Sequence, residues 1–152
     1  MMVRVGALVL LACVLCGCVT RPTADAMPLE RSQLSDEAVV LHYVVVAKNP
    51  GETELPMRMV SYRLDIDGRR VFRGTRSAEA TLSRLSEHSI ELPVPVRWED
   101  LPEGEARYRL RGSLGYTLPG IFFEALFEAG LYRPRIHFDL EGTLDPSALR
   151  GG

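Results

Sequence analysis

Residues 107–118 read Arg-Tyr-Arg-Leu-Arg-Gly-Ser-Leu-Gly-Tyr-Thr-Leu, and residues 132–144 read Tyr-Arg-Pro-Arg-Ile-His-Phe-Asp-Leu-Glu-Gly-Thr-Leu. In the first stretch Tyr108, Leu110, Leu114, Tyr116 and Leu118 fall on one side, with Arg107, Arg109, Arg111, Ser113 and Thr117 on the other. In the second, Ile136, Phe138, Leu140 and Leu144 oppose Arg135, His137, Asp139, Glu141 and Thr143. Side chains of a strand alternate between its two faces. A period of two held this long therefore describes half-buried strands of an antiparallel sheet.

The same period extends upstream. Residues 38–48, Ala-Val-Val-Leu-His-Tyr-Val-Val-Val-Ala-Lys, are apolar on both alternating faces, as expected for a central strand covered on both sides. Asn49-Pro50-Gly51 ends it, because Pro50 lacks a donor and Gly51 turns freely. A strand from Met57 to Ile66 places Val60, Tyr62, Leu64 and Ile66 together, and Asp67-Gly68 is a two-residue hairpin signal. On the return strand, Arg69 to Gly74, Val71 and Phe72 cannot both face the core, which predicts a bulge or partial exposure. Residues 89–98 put Leu92, Val94, Val96 and Trp98 on one face. Pro93 and Pro95 are two apart, so their missing N–H groups share one side. That side cannot carry a normal ladder, and the strand is expected at a sheet edge. About seven strands and no long helix predict an all-β fold, an immunoglobulin/fibronectin-III-like antiparallel β-sandwich.

One segment breaks the pattern. Between Pro119 and Tyr132, Ile121, Phe122, Ala125, Leu126 and Ala129 recur at helical spacing, predicting a short helical or irregular insert. Its core-facing side is expected to carry Phe122, Ala125, Leu126 and Ala129. Phe123 and Phe127 lie four apart beside that face, with Glu124 and Glu128 on the next stripe. They are candidates for a partly exposed contact patch; the alternative is an insert folded over an open end of the sandwich and wholly buried.

The N-terminus carries a different signal. After Arg4 an apolar run leads to Leu15-Cys16-Gly17-Cys18, a short hydrophobic segment closed by small residues and a cysteine. It is too short for a membrane span and reads as a lipoprotein signal with its lipobox, residues 1–17, with Cys18 acylated as the first mature residue. Removal of 17 of the 152 residues leaves 135, one domain able to bury a core. Only Arg4 among charged residues is lost, so the net charge of −2 becomes −3, which does not suggest a nucleic-acid partner. All three cysteines, Cys13, Cys16 and Cys18, lie in or at the end of this segment, so the domain folds without disulfides or thiolate metal sites. Residues 18–36, polar and interrupted by proline, read as a tether, residues 37–145 as the domain and 146–152 as a C-terminal tail.

The order of these features resembles the LEA type 2 family, the water stress and hypersensitive response (WHy) domain, related to late-embryogenesis-abundant 14 proteins. The resemblance runs over about residues 38–144. It is carried by Asn49-Pro50, then Leu55-Pro56-Met57, Tyr62-Arg63-Leu64, the Asp67-Gly68 turn, Gly74, and the Leu92-Pro93-Val94-Pro95-Val96 strand. Gly51 departs from the Asn or aromatic residue common after Asn-Pro in the family, and the apolar insert is unusual. The resemblance implies a fibronectin-III-like sandwich, no catalytic residues, no cofactor, and a role in desiccation or stress tolerance.

No chemistry-bearing constellation competes with this reading. His42, His88 and His137 have no metal-ligand spacing. There is no Gly-x-Ser-x-Gly nucleophile elbow. Asp65-Ile66-Asp67-Gly68 echoes a calcium loop, but the glycine would place Arg63 at the first ligand position. The Arg107, Arg109, Arg111 stripe is expected to be solvated and paired with Asp139 or Glu141, against the alternative of anionic lipid or glycan contact. Asn49 is expected to cap its own turn. The expectation is a non-enzymatic bacterial envelope lipoprotein whose partner is membrane lipid through Cys18. Val19 after Cys18, in place of aspartate, resembles outer-membrane sorting, with the domain facing the periplasm. The rival is an adaptor that binds an envelope protein through its sandwich edge or its insert.

Overall fold

The computed structural model describes residues 21–150, with the side chains of 29–33 and 150 excepted. Among the described residues there are eight strands: β1 (Thr23–Leu34), β2 (Ala38–Asn49), β3 (Leu55–Ile66), β4 (Arg69–Ser77), β5 (Thr81–Leu82), β6 (Ser86–Arg97), β7 (Ala106–Tyr116) and β8 (Arg135–Leu144). Helix α1 (Ile121–Glu128) joins β7 to β8, and a one-turn helix α2 (Pro146–Arg150) follows β8. The strands form two antiparallel sheets, ordered β1-β2-β6 and β4-β3-β7-β8, with the two-residue β5 beside β3. The fold is an all-β sandwich, as the alternation predicts.

The core lies between the sheets. Val39, Leu41, Tyr43, Val45 and Ala47 of β2 and Ile90, Leu92, Val94 and Val96 of β6 face Val60, Tyr62, Leu64 and Ile66 of β3, Leu110 and Leu114 of β7 and Ile136 and Phe138 of β8. Leu140 is half-buried against them. The ambiguous register of β4 resolves as a bulge. Leu64 pairs with Phe72 and Asp65 with Arg70, so Val71 is unopposed and both it and Phe72 are half-buried. Asp67 and Gly68 both have positive φ, 48° and 78°, as a tight hairpin turn requires. Two core aromatics fill space that glycine vacates on the opposite strand. A Cβ on Gly112 would come 2.2 Å from Phe138 Cζ and 2.7 Å from the Ser61 carbonyl, and one on Gly142 would come 2.7 Å from the Tyr108 ring.

Pro93 and Pro95 lie on β6, at the free edge of its sheet as expected. The Pro93 carbonyl accepts from the Tyr62 hydroxyl at 2.9 Å, so this side of β6 turns toward the other sheet rather than toward β2. The N–H and C=O of one strand residue point the same way, so the missing proline donors cost no ladder bond here.

Four expectations are corrected. The segment read as a tether, 18–36, contains β1: Thr23 pairs with Lys48 and Leu34 with Val39, with a bulge between Pro28 and Ser32. Without it the long apolar β2 would be an open edge, and the backbone groups of β1 close it; among its described side chains the small Ala24 and Ala26 pack against the core. Strand β2 is central but is not covered on both sides; Val40, Val44 and Val46 are half-exposed on its outer face. Thr117, placed on the solvent face, is 3% exposed because β7 ends at Tyr116 and the alternation lapses there. The tail begins with α2, whose Pro146 is buried and whose Leu149 packs on the core.

Asn49 closes the end of the sandwich where β2 stops. It is 4% exposed. Its Oδ1 accepts from the Gly51 N–H at 3.0 Å, the turn cap expected from sequence. Its Nδ2 donates to the carbonyls of Thr53 at 2.7 Å, Ser83 at 3.1 Å and Leu82 at 3.4 Å.

Four measurements check this account. In chemical denaturation Phe138→Ala is expected to cost about 3–5 kcal/mol. Gly112→Ala is expected to cost about 1–3 kcal/mol by overpacking against the same ring, although it adds one methyl. Asn49→Asp keeps the acceptor but removes the donor among three carbonyls, and is expected to lose about 2–3 kcal/mol, more than a surface substitution. The fourth is alkaline unfolding. Burial, then the neighbouring Tyr108, raises the pKa of Tyr43 well above its ordinary 10.0. The folded value exceeds the unfolded one, so this contribution is whole below pH 10 and is lost as pH rises beyond it. Tyr43→Phe should flatten the fall in stability above about pH 10 in urea titrations at stepped pH; an unchanged slope would exclude the assignment.

Candidate functional site

The strands run between two ends. At one end lie the start of β1, the 50–54 loop, the β5–β6 turn and the α1 insert. At the other lie the β1–β2 turn, Asp67-Gly68, the 3₁₀ turn Trp98–Asp100 and the end of β8. The first is the candidate site, since it gathers the features that the core does not use.

Helix α1 is launched by Gly120, whose φ of +112° favours glycine, and stops at Gly130 with φ +73°. None of its residues is buried. The helix is fixed by two arginines. Phe127 lies between the guanidinium carbons of Arg58 and Arg133, 5.4 and 5.7 Å from the ring centroid. Arg58 also donates to Thr117 Oγ1 at 2.8 Å and reaches Glu124 at 3.4 Å, and Arg133 Nε donates to the Phe127 carbonyl at 3.1 Å. Each cation–π contact is worth about 0.5–1 kcal/mol at such exposure. Beneath the helix, over the outer face of β3 and β7, runs a cavity of about 700 Å³ lined by Met59, Ser61, Gly115, Phe127 and Arg135 among others.

This clamp corrects the expected helix faces. Phe122 is 69% exposed, Ala125 and Ala129 are exposed, and Leu126 is only half-buried. The end of the core is already closed by Leu55, Met57 and Leu82, which leaves no place for Phe122. Phe123 and Phe127 are half-buried at the boundary of the exposed face. Phe127 is held by the arginines, and Phe123 lies between the rings of Phe122 and Tyr132 at 5.7 and 6.2 Å. The exposed apolar surface belongs instead to Ile121 (89%), Phe122 and Leu131 (76%). Periodicity shows which helix residues share a face; Arg58 and Arg133, which choose the face, carry no local signal.

The remaining candidates do not converge. Asn49, Pro50 and Pro56 sit at the insert end, where the Pro56 carbonyl accepts from Thr117 N–H at 2.9 Å. Gly68 turns at the opposite end. Gly74 lies under the Phe72 ring, where a Cβ would approach to 2.7 Å. Pro93 and Pro95 line the β6 edge. All these positions have structural roles. Leu15, Cys16, Gly17 and Cys18 lie outside the described residues.

Two arginines of the stripe are paired, Arg109 with the expected acids and Arg111 with Asp65 of β3 instead. Arg109 bonds Asp139 in a fork and reaches Glu141 at 3.0 Å, and Arg111 meets Asp65 at 2.7 Å. The hydrogen bond from Arg109 holds the Asp139 carboxyl below its ordinary range. His42 Nδ1 lies 2.5 Å from Glu91 Oε1, remote from the other histidines in sequence. Among the described residues no cluster of three or more His, Cys, Asp or Glu side chains could hold a metal ion, and no helix is long and apolar enough to cross a membrane.

Comparison with solved structures gives the same architecture in other proteins. A late embryogenesis abundant (LEA) protein solved in solution matches with TM-score 0.64 at 18% identity, over 94% of this chain and 86% of that one. An Arabidopsis thaliana protein, also solved in solution, matches with TM-score 0.57 at 17% identity, over 84% and 78%. A crystal structure of a protein from Archaeoglobus fulgidus matches with TM-score 0.56 at 12% identity, over 81% and 94%. At these identities the likeness is one of fold. No curated protein matches the sequence. Residues 44–144 match the sequence profile of the family described as late embryogenesis abundant protein, LEA_2. The chain therefore belongs to the LEA type 2 family of late embryogenesis abundant proteins.

Proposed function

We propose that this LEA type 2 sandwich is a non-enzymatic envelope lipoprotein, held by acylated Cys18 at the outer membrane with its domain in the periplasm. There it protects envelope components during desiccation or other stress. The observation that carries the reading is the Leu15-Cys16-Gly17-Cys18 box ahead of the domain, with only residues 19–22 between Cys18 and the first strand residue, Thr23. Cleavage before Cys18 removes the apolar segment and leaves a thiol for acylation. Anchoring is stable when more than one chain is attached, at about 0.8 kcal/mol per buried methylene. The side chains at the candidate site favour a binding or protective role over chemistry: its arginines are engaged in holding α1, and no nucleophile–base pair lies beside them.

A second reading is an adaptor for an envelope protein, and it draws on the exposed Ile121, Phe122 and Leu131. Affinity capture from native envelopes separates it from the first: a single stoichiometric protein partner favours the adaptor.

The anchor is checked by mass spectrometry of the mature protein. The expected N-terminus is acylated Cys18, and Cys18→Ser is expected to release the chain from the membrane fraction. A free amine on any other residue would exclude the anchor.

A further inference from the structure

The exposed apolar surface is concentrated at one end of the molecule. Among the described residues the four most exposed large hydrophobic side chains are Ile121 (89%), Leu131 (76%), Leu85 (70%) and Phe122 (69%). All four belong to the end where β1 begins. Leu85 is in the β5–β6 turn and its N–H donates to the Gly51 carbonyl at 3.0 Å. Tyr132, 43% exposed, continues the patch through its ring contact with Phe123. The opposite end is acidic, with Asp36, Glu37, Glu99, Glu103 and Glu105 in its turns.

The chain also enters the domain at the apolar end. Arg21 and Pro22 line a cavity of about 630 Å³ together with Tyr116, Tyr132 and Asn49. Only Val19 and Thr20 separate Arg21 from Cys18. Three residue steps span at most about 11 Å. Given the acyl anchor proposed above, on which this inference rests, Arg21 therefore lies within about 11 Å of the lipid that holds Cys18. A gap of this size is no wider than one helix with its side chains, about 10–12 Å, and leaves no room for a folded partner between the apolar end and the bilayer.

We propose that this end docks into the interfacial layer of the same bilayer. Ile121, Phe122 and Leu131 enter the boundary between headgroups and acyl chains, and Tyr132 sits at the polar edge with its hydroxyl in reach of water. The clamp of Arg58 and Arg133 on Phe127 sets the pitch of the helix and keeps the exposed side of α1 outward. The charges around the patch are mixed, Arg21, Arg133 and Arg135 against Glu52, Glu124 and Glu128, so insertion rather than attraction to anionic lipid supplies the contact. The acidic end faces away from the negative membrane surface. Lipid and patch then form two attachments, and the domain stands with its strands near the membrane normal instead of swinging on its anchor.

The test uses the full acylated chain in vesicles of phosphatidylethanolamine and phosphatidylglycerol carrying lipid brominated in the acyl chain. Phe122→Trp places an indole in the patch; Trp98, at the opposite end, is the internal reference. Quenching of the introduced indole but not of Trp98, little changed by added salt, is expected. In the unacylated Cys18→Ser chain the same quenching is expected at higher lipid concentration, and Phe122→Ser with Leu131→Ser should weaken that partition by roughly tenfold or more. Leu131→Trp serves as a second probe should Phe122→Trp fail to fold. A mature mass that shows the acyl chains, with the indole unquenched and open to iodide, overturns docking and leaves the anchor standing. An indole unquenched by lipid but shielded from iodide overturns it in favour of a protein cover. A mature mass without acyl chains overturns the anchor, and with it the placement of this end at the bilayer.

Discussion

One buried carboxamide ties together the loops at the α1 end of the sandwich. Asn49 terminates β2, and its side chain satisfies the 50–54 loop through Gly51 and Thr53 and the β5–β6 turn through Leu82 and Ser83. These segments are far apart in sequence, and the amide joins them beside the Leu55–Leu82 pair of β3 and β5 and the bond from the Leu85 N–H to the Gly51 carbonyl. Without the amide, carbonyls of two loops would be left buried or half-buried without a donor, at a cost of about 1–3 kcal/mol each. With it, the core closes at Leu55, Met57 and Leu82, and everything beyond is displaced outward. The insert cannot plug an end that is already sealed. It is carried instead on the outer face of β3 and β7 by Arg58 and Arg133, and its apolar residues remain exposed as a consequence.

Much of the fold was legible because its signals are local. Period-two alternation identified β3, β6, β7 and β8, the conflict between Val71 and Phe72 announced a bulge, and Asp67-Gly68 announced a hairpin. The proline pair on β6 located a sheet edge. Arg109 of β7 could be matched to Asp139 and Glu141 of β8 since they lie on the solvent side of antiparallel neighbours, whereas Arg111 turns to Asp65 on β3. In each case the residue type and its spacing carry the physical reason directly.

The parts that were not legible depend on contacts between distant segments. Strand β1 has Pro28 and small inward residues, Ala24 and Ala26, so composition alone makes it resemble a tether. It becomes a strand only because β2 offers a long unpaired edge. The two residues of β5 are too few for any pattern. Gly112 reads as a weak point in β7 until Phe138 is seen across from it, filling the space where a Cβ would be. The helical spacing of 121–129 was real, but which face turned inward was set by Phe127 meeting two arginines from β3 and from the approach to β8. The insert was thus legible as a helix, while the inward face expected for Phe122, Ala125 and Ala129 was not the one adopted.

The sheet edges bear on the same question of what the molecule can touch. Open strand edges pair with other chains unless something prevents it. Each outer strand here carries an obstacle. Strand β1 has Pro28 and a bulge, β4 has the bulge at Val71, and β6 turns Pro93 and Pro95 toward its free side. Strand β8 presents Arg135, His137, Asp139 and Glu141 on its outer face. The flanks are therefore poor surfaces for β-pairing, whereas the α1 end has a rigid helix, exposed apolar side chains and no blunting device. Guarded edges leave the α1 end as the surface where apolar side chains are most exposed.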